Sequence, residues 1–261
     1  PDLQAIVIVG DIPDIDAMEQ TVKERFGAHP KTVNPKPRKS FSIPDNVEPL
    51  VAIATDKENP STSLEFMWKH KKAPVGTVGD YRQGLVRSLI NSMINDRFRD
   101  LTEKPTSPMM YAGAGYGGFL GRELDAFSVS AAPKEGRIEE TAVELLRVMK
   151  QIDEHGFLQS ELDRQKEDLL STYTKLAKEE NKTQSNSLAD EYTRHFLEGE
   201  SCPGIRQEWK YAKEFIPEIT LEECNDLVST WITDDNLVIE LTAPERADLR
   251  IPTEADLLTI V

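Results

Sequence analysis

Residues 109–132 read MMYAGAGYGGFLGRELDAFSVSAA, and the fold turns on whether a helix or a strand succeeds the glycines. Gly113, Gly115 and Gly118 match G-x-G-x-x-G letter for letter. A phosphate-binding loop of that type needs a strand before it and a helix after it, so that the helix N-terminus faces the anion. Residues 109–112 suit a strand. The far side of the glycines does not suit a helix: Ala126, Ser128 and Ser130 alternate with Phe127, Val129 and Ala131. That period of two is a strand with one buried face, and no helical pattern begins before Ile138. The letter match is a coincidence, and the stretch predicts a glycine-rich strand running into a hairpin. The glycines then fit two readings. The commoner one is relief of crowding against a packed helix. The other is functional: missing side chains let a second backbone approach, and the unpaired groups of an edge strand recruit an extended peptide.

Outward from the hairpin, residues 77–101 predict a long helix, with Tyr81, Leu85, Val86, Leu89, Ile90, Met93 and Ile94 on one broad apolar face. Runs at 50–55 and 61–69 predict strands separated by a turn at Glu58-Asn59-Pro60. The continuous apolar run at 5–9, closed by Gly10-Asp11, predicts a strand buried on both faces. Ile15, Met18, Val22 and Phe26 fall at helical spacing before Gly27. Pro30, Pro35, Pro37 and Pro44, with Pro49 just beyond, mark a surface linker. Downstream, Ile138, Ala142, Leu145, Met149 and Ile152 predict a helix ending at His155-Gly156, and helical character resumes over 158–180. Two or three short helices are expected between 185 and 231, then a last strand at 237–242. Short links between strand pairs suggest antiparallel neighbours. The fold class is α+β, a mixed and largely antiparallel sheet with helices packed on one face. Residues 1–261 are expected to form one domain, with 244–261 as a linker to a further one.

The 261 residues carry 31 Lys and Arg against 46 Asp and Glu, a net charge of −15 and a pI near 4.8. Phosphate-backbone binding needs clustered positive charge, so nucleic acid is not an expected partner. The one basic run, residues 31–39, is broken by prolines and has no interleaved aromatics. No apolar run approaches the ~20 residues of a membrane span. The chain opens on an apolar run without an initiator Met, which suggests a piece of a longer protein. Cys224 stands among Leu221, Leu227 and Val228 and reads as a small buried hydrophobe, while Cys202 lies in a loop.

Catalytic chemistry is not legible. His29, His70, His155 and His195 are too scattered to place two zinc ligands on one helix face. His195 and Glu198 have i, i+3 spacing but no second His completes a site, so an exposed helix-end pair is the expectation. No C-x-x-C, phosphate-loop or G-x-S-x-G pattern is present, and no Ser or Cys stands in a nucleophile setting.

Three segments together resemble the insulinase/pitrilysin family of zinc metallopeptidases, which includes the mitochondrial processing peptidase. QAIVIVGDIPDIDAMEQTVKERFG (4–27) resembles its strand–Gly-Asp–helix–Phe-Gly element. LVRSLINSMINDRFRDLTEK (85–104) is similar to the helix before its central hairpin. ELDAFSVSAAPKEGRIEETAVELLRVMKQIDEHGFLQSELDRQKEDLL (123–170) is similar to its strand–helix–helix element. The likeness covers roughly residues 3–243. It implies two homologous α+β domains in each half of the parent and two halves closing round a peptide. Zinc is implied to sit on H-x-x-E-H and a distant Glu of the first domain. That motif is absent here, so the resemblance implies a second, non-catalytic domain, no catalytic residue and no cofactor of its own, with zinc in the parent's preceding domain. Tyr111 matches the place of a family tyrosine that works with an arginine, but the arginine's place, around residues 102–104, holds none. Implied partners are the parent's other domains and an extended peptide substrate. The peptide's amino-terminal end would lie on the backbone of Met110, Tyr111, Ala112, Gly113, Ala114, Gly115 and Tyr116. The alternative is a scaffold homologue lacking zinc throughout its parent. The compartment is left open, bacterial envelope or cytoplasm.

Overall fold

A computed structural model of the chain describes residues 3–30, 32–35, 37, 39 and 41–261. Five strands, β1 (Leu50–Asp56), β2 (Ser63–Lys71), β3 (Met109–Gly118), β4 (Leu124–Pro133) and β5 (Leu237–Pro244), form one sheet in the order β1-β5-β2-β4-β3. β2–β5, β2–β4 and β3–β4 pair antiparallel, and β1–β5 pair parallel. The helices are α1 (Ile15–Phe26), α2 (Val78–Thr102), α3 (Ile138–His155), α4 (Gln159–Lys178), α5 (Ser185–Glu198), α6 (Ile205–Phe215), α7 (Leu221–Ser229) and α8 (Glu254–Ile260). Fold class and sheet type agree with the sequence expectation.

One face of the sheet builds the core. Leu64, Phe66 and Trp68 of β2 stand in register with Leu241, Ile239 and Leu237 of β5 and with Ala131, Val129 and Phe127 of β4. All nine are buried, against Leu89, Met93 and Phe98 of α2 and Leu145, Met149 and Ile152 of α3. The Leu, Ile, Val, Phe and Met side chains among them each contribute about 1.5–3 kcal/mol through burial. α2 starts in a capping box in which Thr77 Oγ1 accepts from Asp80 N–H and the Asp80 carboxylate from Thr77 N–H. Charged pairs then fix its rotation: Arg82 meets Glu223 of α7, and Arg97 makes two 2.7 Å bonds to Glu161 of α4.

Two local expectations are overturned. Residues 5–9 form no strand: they are exposed or half-buried, and the sheet takes them in at neither edge. Backbone N–H and C=O groups need a neighbouring strand to become one. β1 and β2 are not neighbours either, because β5 inserts between them. The interior position beside β2 goes to the strand able to bury one face along its whole length, and Leu237, Ile239, Leu241 and Ala243 of β5 do so where β1, left at the edge, only half-buries Val51 and Ile53. Of residues 244–261, read as a linker, Glu254–Ile260 are helical, with Leu257 buried in the core. Part of the basic run (Lys31, Lys36 and Arg38) lies outside the described residues. Cys202 and Cys224 are both free thiols. His195 Nδ1 contacts the Glu200 carbonyl and Glu198 pairs with Lys72, so the two do not converge.

Candidate functional site: the edge of the glycine-rich strand

β3 lies at the rim of the sheet, so one side of its backbone faces away from β4. Its start is pinned: Thr141 Oγ1 and Arg137 Nη1 donate to the carbonyls of Pro108 and Thr106. A bulge between Met109 and Tyr111 then leaves Met110 without a partner in β4. Past the bulge Ala112, Ala114 and Tyr116 stand in register with Ala131, Val129 and Phe127 and so face the helical layer. Gly113, Gly115 and Gly117, in register with Ser130, Ser128 and Ala126, form the opposite face. Met110 and Tyr111 are 63% and 64% exposed. All seven residues expected to hold a peptide thus lie along one edge strand.

The glycines do two different things. A Cβ at Gly113 would stand 2.8 Å from the Tyr111 hydroxyl, so this glycine lets the tyrosine ring lie along its own strand. At Gly115 a Cβ would meet nothing within 4 Å. Asn95 Oδ1 of α2 also stands 3.4 Å from the Gly113 Cβ position, so crowding there comes from both the tyrosine and the helix, and a flat, nearly side-chain-free face begins at Gly115. Glu65 and Glu240 continue the row of Gly113 and Ser130 across the sheet, so the surface beside this ledge is acidic.

Tyr116 closes the far end. Its ring packs 4.8 Å from Trp231 and 5.5 Å from His70, and the His70 Nε2 lies 3.0 Å from the Trp231 carbonyl. Burial, with the Asp125 charge adding to it, raises the phenol's pKa, so it stays neutral and serves as packing. The hairpin turns through Gly121 at φ +64°, and Phe119 N–H donates to the Leu124 carbonyl.

One contact had no sequence prediction. The Asn95 side chain of α2 spans both backbone groups of Ala114: Oδ1 accepts from its N–H at 2.9 Å, and Nδ2 donates to its C=O at 2.8 Å. The two peptide groups of Ala114 therefore point away from β4, and by strand alternation those of Ala112 and Tyr116 do too. The only hint in the sequence is Asn91 and Asn95, one turn apart on a helix rich in apolar residues.

Among the described residues no group of three or more His, Cys, Asp or Glu is placed to hold a metal ion. Nor is any of the described helices long and apolar enough to cross a membrane.

Comparison with known proteins agrees with this geometry. Residues 1–169 match the family described as Peptidase M16 inactive domain. The chain belongs to that family. As an M16 inactive domain it is 24% identical over 243 residues to a "Zinc protease PQQL-like" of Arabidopsis thaliana, covering 93% of this chain and 22% of the relative. Its fold superimposes on the first half of the periplasmic protease PqqL of Escherichia coli with a TM-score of 0.83, at 14% identity over 96% of this chain and 53% of that one. A "predicted insulinase family protease" of Yersinia pestis gives 0.77, at 14% identity over 94% and 52%. The M16 inactive domain thus spans about a fifth of the curated relative and about half of the solved chains.

Proposed function

We propose that this chain is the non-catalytic domain of a zinc metalloendopeptidase. It forms part of the wall of the substrate chamber and offers the β3 edge as an exosite for the amino-terminal end of a peptide. Zinc and the catalytic residues belong to the parent's preceding domain. The observation that carries the reading is the rim position of β3, whose backbone groups at Ala112 and Tyr116 point outward and whose glycine face, buried at Gly113, opens from Gly115 onward. A peptide adding there pairs through its backbone and is read weakly for sequence, which suits a peptidase that selects by shape and size. Its relatives are zinc proteases, which favours a catalytic parent over a zinc-free scaffold. An H-x-x-E-H upstream of Pro1 in the parent separates the two.

The test uses the ligand's own backbone. A fluorescein-labelled extended peptide of alternating Thr and Lys should bind this chain, measured by anisotropy. N-methylation of alternate residues, those whose N–H groups face β3, should lower affinity at least about tenfold, while methylation of the intervening residues should leave it unchanged. Equal effects from both sets would remove strand addition. The chain alone should cleave no peptide; stoichiometric zinc that a chelator strips from it would count against the assignment.

A further inference from the structure

Asn95 sits where an incoming strand would sit. A strand pairing with Ala114 must offer one acceptor to its N–H and one donor to its C=O. The Asn95 carboxamide already offers both, at 2.9 Å and 2.8 Å. The geometry points to a built-in plug: Asn95 imitates the peptide's amide, keeps the β3 edge closed at its midpoint, and gives way when a substrate strand adds. This inference rests on the proposed exosite and names what regulates it.

Three features make the plug displaceable rather than structural. First, only the side chain can move, because α2 is anchored upstream by Arg82 on Glu223 and immediately after Asn95 by the next two residues. Asp96 takes bonds from Arg164 and Gln165 of α4, and Arg97 is paired with Glu161. Second, the carboxamide has somewhere to go. Asn91, one turn earlier on the same stripe of α2, has a buried Oδ1 with no hydrogen-bond partner. Asn95 Nδ2 already bonds the Asn91 backbone carbonyl at 2.7 Å, so a rotation towards Asn91 keeps a donor bond while freeing Ala114. Third, the exchange is close to even: the peptide remakes both bonds to Ala114, and Asn95 recovers partners on Asn91. Such swaps shift affinity modestly and leave specificity to the rest of the strand. An unblocked edge is also a hazard for pairing with other chains, and a polar plug at its midpoint protects the free protein.

The experiment compares the unmodified chain with Asn95→Ala and Asn95→Ser, using the same Thr/Lys peptide and amide hydrogen exchange. Without peptide, the Ala114 amide should exchange at least about tenfold faster in both variants than in the parent sequence. With peptide, both variants should bind about tenfold more tightly, since nothing need be displaced. In the unmodified chain the Asn95 side-chain amide resonances should shift on peptide addition while the Ala114 amide stays protected. If the unmodified chain binds peptide but the variants bind it equally or more weakly, the plug is overturned and strand addition stands. If neither chain binds, strand addition itself fails and the plug with it. Binding by the variants alone would mark a plug stronger than the peptide, and supports the inference.

Discussion

At the scale of single residues, the β3 glycines separate stability from surface. Valine at 115 meets open space and favours an extended backbone, so Gly115→Val should leave the melting temperature within about 2 °C. Valine at 113 must displace the end of the Tyr111 ring and crowds Asn95 Oδ1, 3.4 Å from the Cβ position, so Gly113→Val should lower the melting temperature more than Gly115→Val. Arg97 is different. Its side chain and that of Glu161 are 19% and 14% exposed, and Glu161 also accepts from the Leu158 N–H. Arg97→Ala strands a half-buried carboxylate and should cost about 3 kcal/mol by denaturant unfolding. Burial pushes the Glu161 pKa up, but the bonds from Arg97 and Leu158 outweigh it and hold the group below its ordinary value. A depressed carboxyl stabilises the fold above its unfolded pKa, and that stability goes as the pH drops through the folded value. The variant should therefore lose less stability between neutral and acid pH than the parent sequence. The two thiols should also part: burial pushes Cys224 up to about 12, so a thiol reagent should label Cys202 in the native chain and Cys224 only after unfolding.

At the scale of elements, the junction of α3 and α4 is the most exacting turn. Gly156 adopts φ +66° and ψ −157°, and a Cβ there would lie 2.6 Å from the Asn225 side chain. Asn225 Oδ1 accepts from Phe157 N–H at 2.9 Å, so the glycine and the asparagine form one device. Gly156→Ala should destabilise by about 2–3 kcal/mol, from backbone strain and the displaced asparagine, and read out as a lowered melting temperature. The sequence marked this end of α3 by its His-Gly pair, and most helices and the hairpin were legible in the same way, because periodicity and stop signals are local. What was not legible is non-local. The run at 5–9 says which residues avoid water but not which backbone will pair with them. The parallel seating of β5 beside β1 depends on sheet-wide burial that no local window contains. Asn95 on α2 reads as helix surface until the rim of β3 is seen beside it. The candidate strand was therefore found from sequence, whereas the side chain that occupies its edge was not.

For the whole molecule, the described residues from Leu3 to Pro49 bury nothing, and α1 has no buried residue. Leu3, Ile6 and Phe26 instead lie near Phe196 of α5 round an open cleft. Deleting residues 1–40 should thus keep the melting temperature of the rest within about 3 °C in a thermal scan, because Pro44 and Asn46, which bond Lys69 and Leu237, are retained. A larger drop would show that the opening segment supports the core. The seating of β5 has one more consequence, in time rather than space. Its place between β1 and β2 stays vacant until roughly 170 further residues have been made after β2. At about 5–20 residues per second a ribosome takes roughly 10–30 s over that interval. Throughout it the nascent chain carries two strands waiting for the one that will join them, and a chaperone has its clearest reason to hold this protein there.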